Sequence, residues 1–136
     1  MEGKNLERDN YCFVCGKDNP KGMGLSFKRQ DGKVFSRFSL PRYYQGYNQV
    51  IHGGIICLVL DESMAYLQGE KERFLTGKIT VKFHSPLYAG EEVEVVAEVK
   101  EEKRRFKITK ARMVRLRDGK LIAEAEALMF VLRENK

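Results

Sequence analysis

The chain has few of the residues on which metal sites, disulfide frameworks and membrane spans depend. Its 136 residues include three cysteines and two histidines. A small, odd number of cysteines argues against a disulfide framework and favours a reducing compartment. No stretch approaches the roughly 18 consecutive apolar residues of a membrane span, and no apolar run follows the polar residues 1–5. We therefore expect a cytoplasmic protein without a membrane partner.

Two of the cysteines, Cys12 and Cys15, form a Cys-Phe-Val-Cys-Gly motif that resembles half of a zinc knuckle or a redox pair. Structural zinc needs about four ligands, and the second half of the motif is missing. The remaining soft donors are Cys57, in an apolar segment, and the two histidines. We therefore expect no bound metal and interpret residues 11–22 as a structural loop in which the sulfurs pack as small apolar groups. Metal binding or redox chemistry is the alternative.

The charge balance is basic, with a formal net charge of +6 at pH 7. This suits an anionic partner, which is a nucleic acid, a membrane surface or a small molecule that carries phosphate. The basic residues alternate with acidic ones and no nucleic-acid-binding motif accompanies them, which disfavours nucleic acid. Lys78 and Lys82, or the basic residues between 103 and 110, are candidates for holding phosphate groups.

The residue pattern predicts two strands, one buried helix and then four strands. An Asp-Gly pair at 31–32 is typical of a type I′ hairpin between strands at 26–29 and 34–38. Residues 53–68 contain no proline, are apolar on most faces and precede Gly69, so they predict a buried helix that ends there. The four later strands are predicted at 78–83, 92–100, 106–116 and 120–132, with a second Asp-Gly hairpin signal at 118–119.

This order of elements predicts an α+β fold, the hotdog fold, in which a curved antiparallel sheet wraps around one long central helix. Strands joined by hairpins lie antiparallel, and one helix cannot supply the crossovers of a parallel sheet. The apolar helix must then be covered by the concave face of the sheet. We expect residues 1–23 to form an N-terminal extension with the cysteine loop, and residues 24–136 to form the hotdog domain.

The candidate chemistry lies in residues 48–61, where His52-Gly53-Gly54 opens the helix and Asp61 follows six apolar residues. A carboxylate in an apolar helix is costly to desolvate, so it needs close partners or a chemical role. The two glycines leave backbone N–H groups open at the helix N-terminus, where the dipole favours negative charge. A structural ion pair is the alternative role for Asp61.

Gly53 and Asp61 cannot act on one carbonyl group within one subunit. The eight residue-to-residue steps from Gly53 to Asp61 cover about 12 Å of helix at 1.5 Å per residue. A second copy must therefore bring its own helix alongside, antiparallel, so that each helix N-terminus faces the other copy's Asp61. We expect a homodimer and, at the next level, a dimer of dimers.

Three motifs occur together: Gln45-Gly46-Tyr47, then His52-Gly53-Gly54 with Asp61 nine residues after the histidine, then Ser85-Pro86-Leu87-Tyr88-Ala89-Gly90. In this combination the chain resembles the hotdog-fold acyl-CoA thioesterases of the phenylacetate-degradation (PaaI-like) type. The resemblance covers residues 24–131, and the Cys-Phe-Val-Cys-Gly opening is similar to the N-terminal extension of one branch of that family.

The resemblance implies hydrolysis of an acyl thioester to a free acid and coenzyme A, which enters as part of the substrate, with no cofactor. The Gly53 N–H would hold the carbonyl oxygen. The partner's Asp61 would act as general base on water or as nucleophile. Thr76, at the predicted strand entry, would hold the water, and His52 would orient the loop or touch the thioester.

Substrate binding would also involve Gly54, and coenzyme A phosphates would meet Lys78 and Lys82. Many relatives carry an Asn six residues before the histidine, where this chain has Gly46. Asn48 and Gln49 are the displaced candidates for that amide. A non-catalytic hotdog module that binds acyl-CoA is the main alternative. A hydratase or dehydratase fits the spacing of the histidine, the glycines and the acid less well.

Overall fold

The strands and the helix that the sequence pattern predicts are present in the predicted order. A computed structural model describes residues 6–133. The helix α1 spans Gly53–Ala65. The strands are β1 Lys28–Gln30, β2 Lys33–Ser39, β3 Glu72–Phe83, β4 Glu92–Glu102, β5 Phe106–Arg115 and β6 Leu121–Arg133, and a short 3-10 turn covers Arg42–Tyr44.

All six strands form one antiparallel sheet, in the order β1-β2-β4-β5-β6-β3, and α1 packs across one face of it. Burial follows the two periods expected of a helix on a sheet. On α1 the buried residues are Ile56, Val59, Leu60, Ser63 and Met64. On β4, Val93, Val95 and Ala97 are fully buried, as the alternation predicts. The hotdog prediction is therefore confirmed. Among the described residues no helix combines the length and apolarity that crossing a bilayer requires.

The strand β3 is the long edge of the sheet, and its only pairing among residues 6–133 is with β6. A register shift between Thr76 and Lys78 leaves Gly77 as an extra residue, which is a β-bulge. A side chain at Gly77 would collide with the ring of Phe130, since an added Cβ would lie 2.4 Å from it. The bulge changes which residues face α1, because one extra residue reverses the alternation along a strand.

The β6 partners show which side each β3 residue faces. Phe74, Thr76, Ile79, Val81 and Phe83 pair with buried β6 residues on the helix side. Lys78, Thr80 and Lys82 face the opposite side, where their partners are half-buried or exposed. The prediction that this strand begins at residue 78 is wrong, because β3 begins at Glu72. The bulge at Gly77 interrupts the alternation of apolar and polar residues, so only residues 78–83 show it in the sequence.

The predicted end of the helix also needs correction. The helix ends at Ala65 rather than at residue 68, and Gly69 does not cap it. The Gly69 N–H instead donates to the Glu72 side chain at 3.0 Å, which closes the turn into β3.

The first hairpin is the predicted type I′ turn, with φ of 53° at Asp31 and 77° at Gly32. The second hairpin has a longer connection in which Gly119 alone has positive φ.

The cysteine loop packs on the same core as the sheet. Residues 11–22 contain no helix or strand, as predicted, but their backbone is hydrogen-bonded; β1 then begins at Lys28 rather than at the predicted residue 26. The Met23 N–H donates to the Phe13 carbonyl at 2.7 Å, and the Leu25 N–H donates to the Val14 carbonyl at 2.9 Å. The Val14 side chain is buried in the main core. The division at residue 23 stays a prediction, and the part of it that concerns residues 1–5 lies outside the described residues.

Candidate active site

The first turn of α1 is capped by a histidine. The Gly54 N–H donates to His52 Nδ1 at 3.0 Å, and the His52 carbonyl accepts the N–H groups of Ile55 and Ile56. A ring nitrogen that accepts a hydrogen bond carries no proton, so within this cap the N–H of the ring is at Nε2. His52 thus fixes the geometry of the helix start and presents one N–H donor at its other edge.

The cap leaves a single open backbone donor beside it. Gly54 uses its N–H on the histidine, whereas the Gly53 N–H has no acceptor within residues 6–133. It is the first N–H of a 13-residue helix, where the dipole favours negative charge. The ring of Phe83, at the end of β3, lies 3.5 Å from the place that a Gly53 Cβ would occupy. Sequence reasoning missed Phe83, although its position in the β3 alternation marks it as facing the helix.

Two predicted site residues that are 15 positions apart in the sequence, Asp61 and Thr76, contact each other. The Thr76 hydroxyl donates to Asp61 Oδ1 at 2.6 Å. In the described part of the chain Asp61 has no ion pair, so its charge is not neutralised by a neighbouring lysine or arginine. Thr76 is exposed at the bulge, not at a strand entry as predicted. The carboxylate therefore lies at the open edge of the sheet, where a water or a second copy can reach it.

Cys57 lies one helical turn before Asp61 and is not an activated thiol. Burial raises the pKa of the Cys57 thiol, and the negative charge of Asp61 adds to that effect. The sulfur therefore stays protonated near neutral pH, and the protonated thiol is a poor nucleophile. Cys57 is therefore a poor candidate for a nucleophile.

The loop before the histidine is tied to the Ser-Pro turn that was identified as a separate motif. The Ile51 N–H donates to the Leu87 carbonyl, and the Ala89 N–H donates to the Gln49 carbonyl, each at 2.8 Å. These hydrogen bonds hold the segment before the histidine and the Ser-Pro turn together in the fold. Gly46 lies against the His52 ring, where an added Cβ would be 3.4 Å from the ring carbon Cδ2.

The amide candidates in this loop have other contacts. The Asn48 side chain accepts a hydrogen bond from Arg42 at 3.4 Å. Gln49 has a positive φ of 64° and donates its N–H to the Gln45 side chain. Both residues are exposed, and neither is hydrogen-bonded to His52 or Gly53.

The two predicted phosphate ligands are not beside the acid of their own subunit. Lys78 and Lys82 lie on the face of the sheet opposite α1, because the extra residue at Gly77 turns them away from the helix side. Lys82 lines a cleft of about 750 Å³ on that outer face, together with acidic residues such as Glu124. Glu62, the residue after Asp61 on α1, is half-buried against the cysteine loop.

One curved antiparallel sheet around one central helix is the architecture of a hotdog-fold protein. Residues 48–122, more than half of the chain, match the thioesterase superfamily. The chain belongs to the thioesterase superfamily. A search of curated proteins found no significant match.

Solved structures with this fold include the PaaI protein of the E. coli phenylacetic acid degradation operon. It is 20% identical, the match covers 79% of this chain and 83% of that one, and the TM-score is 0.72. A hypothetical thioesterase with coenzyme A from Streptococcus pneumoniae TIGR4 is 14% identical over 82% and 91% of the two chains, with a TM-score of 0.75. A thioesterase from Haemophilus influenzae is 12% identical over 90% and 87%, with a TM-score of 0.77. At these identities the similarity establishes the fold.

Proposed function

We propose that the protein is an acyl-CoA thioesterase that hydrolyses an acyl thioester to a free acid and coenzyme A at a site shared between two subunits. The observation that carries the proposal is the contact between Thr76 and Asp61 at 2.6 Å. It holds an acid without an ion pair, among the described residues, at an accessible edge of the sheet. Membership of the thioesterase superfamily supports the reaction class. The coenzyme A in the Streptococcus pneumoniae structure supports the class of substrate.

The open edge of β3 suggests how two copies would combine. A long, unpaired edge strand is a template for pairing with another chain. Along this edge Thr76 is the β3 residue that contacts Asp61, and Phe83 is the β3 residue that lies beside Gly53. Antiparallel pairing with Thr76 opposite the partner's Phe83 would bring Asp61 towards the partner's Gly53. Because Gly77 is an extra, unpaired residue in each copy, the twofold axis would then pass through Thr80, which would oppose the same residue of the partner.

The bulge makes this register productive. Residues seven apart on a regular strand face opposite sides of a sheet. The extra residue at Gly77 returns Thr76 to the helix side, which Phe83 also faces. Because directly opposed residues of an antiparallel pair share one face, both would then meet on the side of the two helices.

In this arrangement the reaction uses an amide of one subunit and an acid of the other. The Gly53 N–H would donate to the thioester carbonyl oxygen and stabilise the negative charge that develops on it. The Thr76 hydroxyl donates to Asp61 and keeps lone pairs that would accept a hydrogen bond from water.

Two routes share this geometry. As general base, Asp61 would take a proton from that water while hydroxide adds to the carbonyl carbon; the tetrahedral intermediate then expels coenzyme A thiolate, which takes up the proton. As nucleophile, Asp61 would form an acyl anhydride and release the thiolate, and water would then hydrolyse the anhydride.

The remaining predicted site residues have supporting roles in this proposal. His52 caps the helix through Gly54, which leaves the Gly53 N–H as the open donor. The mechanism does not depend on Lys78 and Lys82, which face the other side of the sheet. The net charge of +6 favours an anionic ligand such as coenzyme A but does not identify its contacts. A dimer of dimers and a cytoplasmic location stay predictions.

Thiol release from short-chain, medium-chain and aryl acyl-CoAs tests the activity. We expect turnover by the wild-type protein and a loss of about 10²-fold or more in Asp61→Asn, because a positioned general base contributes at least that much. Glu101→Gln, which makes the same chemical change at an exposed hairpin, is the control and should retain turnover.

Two outcomes would contradict the proposal. Binding of acyl-CoA by a folded dimer without any thiol release would identify a non-catalytic binding module instead. Hydration of an enoyl-CoA in the absence of thioester cleavage would identify a hydratase.

A further inference from the structure

The cysteine loop and α1 together assemble three donor groups outside the candidate active site. Cys12 and Cys15 come from the loop and Glu62 from the helix, and their ligand atoms all lie within 4.8 Å of one another. The Cys12 thiol donates to Glu62 at 3.2 Å. All three residues are half-buried. The sequence does not reveal the third donor, because it is 50 residues from Cys12.

We propose that Cys12, Cys15 and Glu62 bind one zinc ion, with the fourth coordination position open to water. Two thiolates and a carboxylate form a donor set that suits Zn²⁺ rather than Mg²⁺ or Ca²⁺, which prefer oxygen ligands. The donors also border a cleft of about 560 Å³, lined in addition by Asp9 and Tyr66. This cleft gives a metal and its water a path to the site.

The loop is shaped to present both sulfurs to the helix. The Gly16 N–H donates to the Cys12 carbonyl at 2.8 Å, which closes a tight turn around the two cysteines. A side chain at Gly16 has no room, since an added Cβ would lie 2.3 Å from the Cys12 nitrogen. The buried side chain of Val14, between the cysteines, fixes this turn to the core. The sulfurs are therefore held in place before a metal arrives, which reduces the entropy lost on binding.

The spacing of the donors fits a small tetrahedral ion after little movement. Zinc–sulfur bonds of about 2.3 Å and zinc–oxygen bonds of about 2.1 Å bring two sulfurs about 3.8 Å apart and each sulfur about 3.6 Å from the oxygen. Since no pair of donors is more than 4.8 Å apart, rotamer adjustments of about 1 Å complete the site.

Metal binding at this site must release protons. Burial raises the pKa of the Cys15 thiol to about 12, and the Cys12 thiol carries the proton that it donates to Glu62. The charged and titratable groups around the cluster are Glu62 and Tyr66 on the helix side and Glu7, Arg8 and Asp9 on the loop side. Because the thiols lose protons when they bind the ion, the affinity rises with pH.

Titration of the reduced, full-length protein with Co²⁺, a spectroscopic substitute for Zn²⁺, tests the proposal. We expect one equivalent to give thiolate-to-cobalt charge-transfer absorption and the visible bands of a tetrahedral site, and Zn²⁺ to displace it. Cys12→Ser and Cys15→Ser should abolish the charge-transfer band, and Glu62→Gln should weaken Co²⁺ binding at least tenfold. Cys57→Ser is the matched control, because the third cysteine lies elsewhere on α1, and it should bind as the wild type does.

A second measurement does not require the variants to fold. Zinc should protect Cys12 and Cys15 of the wild-type protein, but not Cys57, from alkylation detected by mass spectrometry. It should also raise the thermal midpoint of the wild type. Absence of a charge-transfer band, equal loss of binding in Cys57→Ser, or alkylation of Cys12 and Cys15 at the same rate with and without zinc would each overturn the proposal.

Discussion

Replacement of Gly53 by proline removes the proposed oxyanion donor and almost nothing else. Gly53 is the first residue of α1, a position that proline favours because its N–H has no partner in the helix. The residue before a proline must be extended, and His52 already has φ of −59° and ψ of 133°. No hydrogen bond is lost, since the Gly53 N–H has no acceptor within residues 6–133. The fold should therefore tolerate Gly53→Pro.

The expected cost is in catalysis. Removal of one oxyanion donor lowers kcat by about 10²–10³-fold, which corresponds to about 2.7–4 kcal/mol. Gly53→Ala is the matched control, because it keeps the N–H, and its added Cβ meets the Phe83 ring at an ordinary contact distance of 3.5 Å. We expect Gly53→Ala to retain most of its activity.

The assay is thiol release from an acyl-CoA under saturating and limiting substrate, with circular dichroism and sedimentation as checks on fold and assembly. A well-folded Gly53→Pro protein with wild-type kcat would refute the role of the Gly53 N–H. Equal losses in the proline and alanine variants would refute it as well, because only proline removes the donor.

Two further predictions concern Thr76 and Asp118. Thr76→Val removes the hydroxyl that donates to Asp61 at 2.6 Å; a hydrogen bond to a charged group contributes about 1.5–3 kcal/mol, so kcat should fall about 10–100-fold. Thr76→Ser, which keeps the hydroxyl, is the control, and equal kinetics in the two variants would contradict the role of Thr76. Arg115 holds the pKa of the Asp118 carboxyl down to about 2, below its ordinary value of 3.8. The stabilisation from this pair is therefore present above pH 4 and is lost as the pH falls towards 2. The thermal midpoint of Asp118→Asn should lie below that of the wild type at pH 7 and approach it at pH 2, and a difference that is independent of pH would contradict the ion pair.

Much of the architecture could be predicted because it depends on local patterns. The alternation of Val93, Val95 and Ala97 identifies a strand with one buried face, and Asp31-Gly32 specifies a turn that only residues with positive φ can form. The start of α1 at Gly53 was predicted with an open N–H, whereas the cap by the His52 side chain was not. The order of the elements then leaves few ways to cover an apolar helix.

The features that could not be predicted depend on contacts between distant segments. The bulge at Gly77 depends on the Phe130 ring of β6, which the sequence around residue 77 does not contain. Because of the bulge, β3 begins before the predicted residue 78, and Thr76 faces the helix side. Glu62 contacts Cys12 across a separation of 50 residues, which no local pattern around either residue indicates. In each case a partner from elsewhere in the chain overrides the local pattern.

Mixing two inactive variants tests the shared site most directly. In a heterodimer of Asp61→Asn and Gly53→Pro subunits, a site built from both subunits would combine the two defects at one location and leave the other location intact. Random exchange should therefore restore about a quarter of the wild-type activity, since half of the dimers are mixed and each has one good site. If acid and amide acted within one subunit, every site would keep one defect, and the mixture would be no more active than the separate variants. That result would contradict the account.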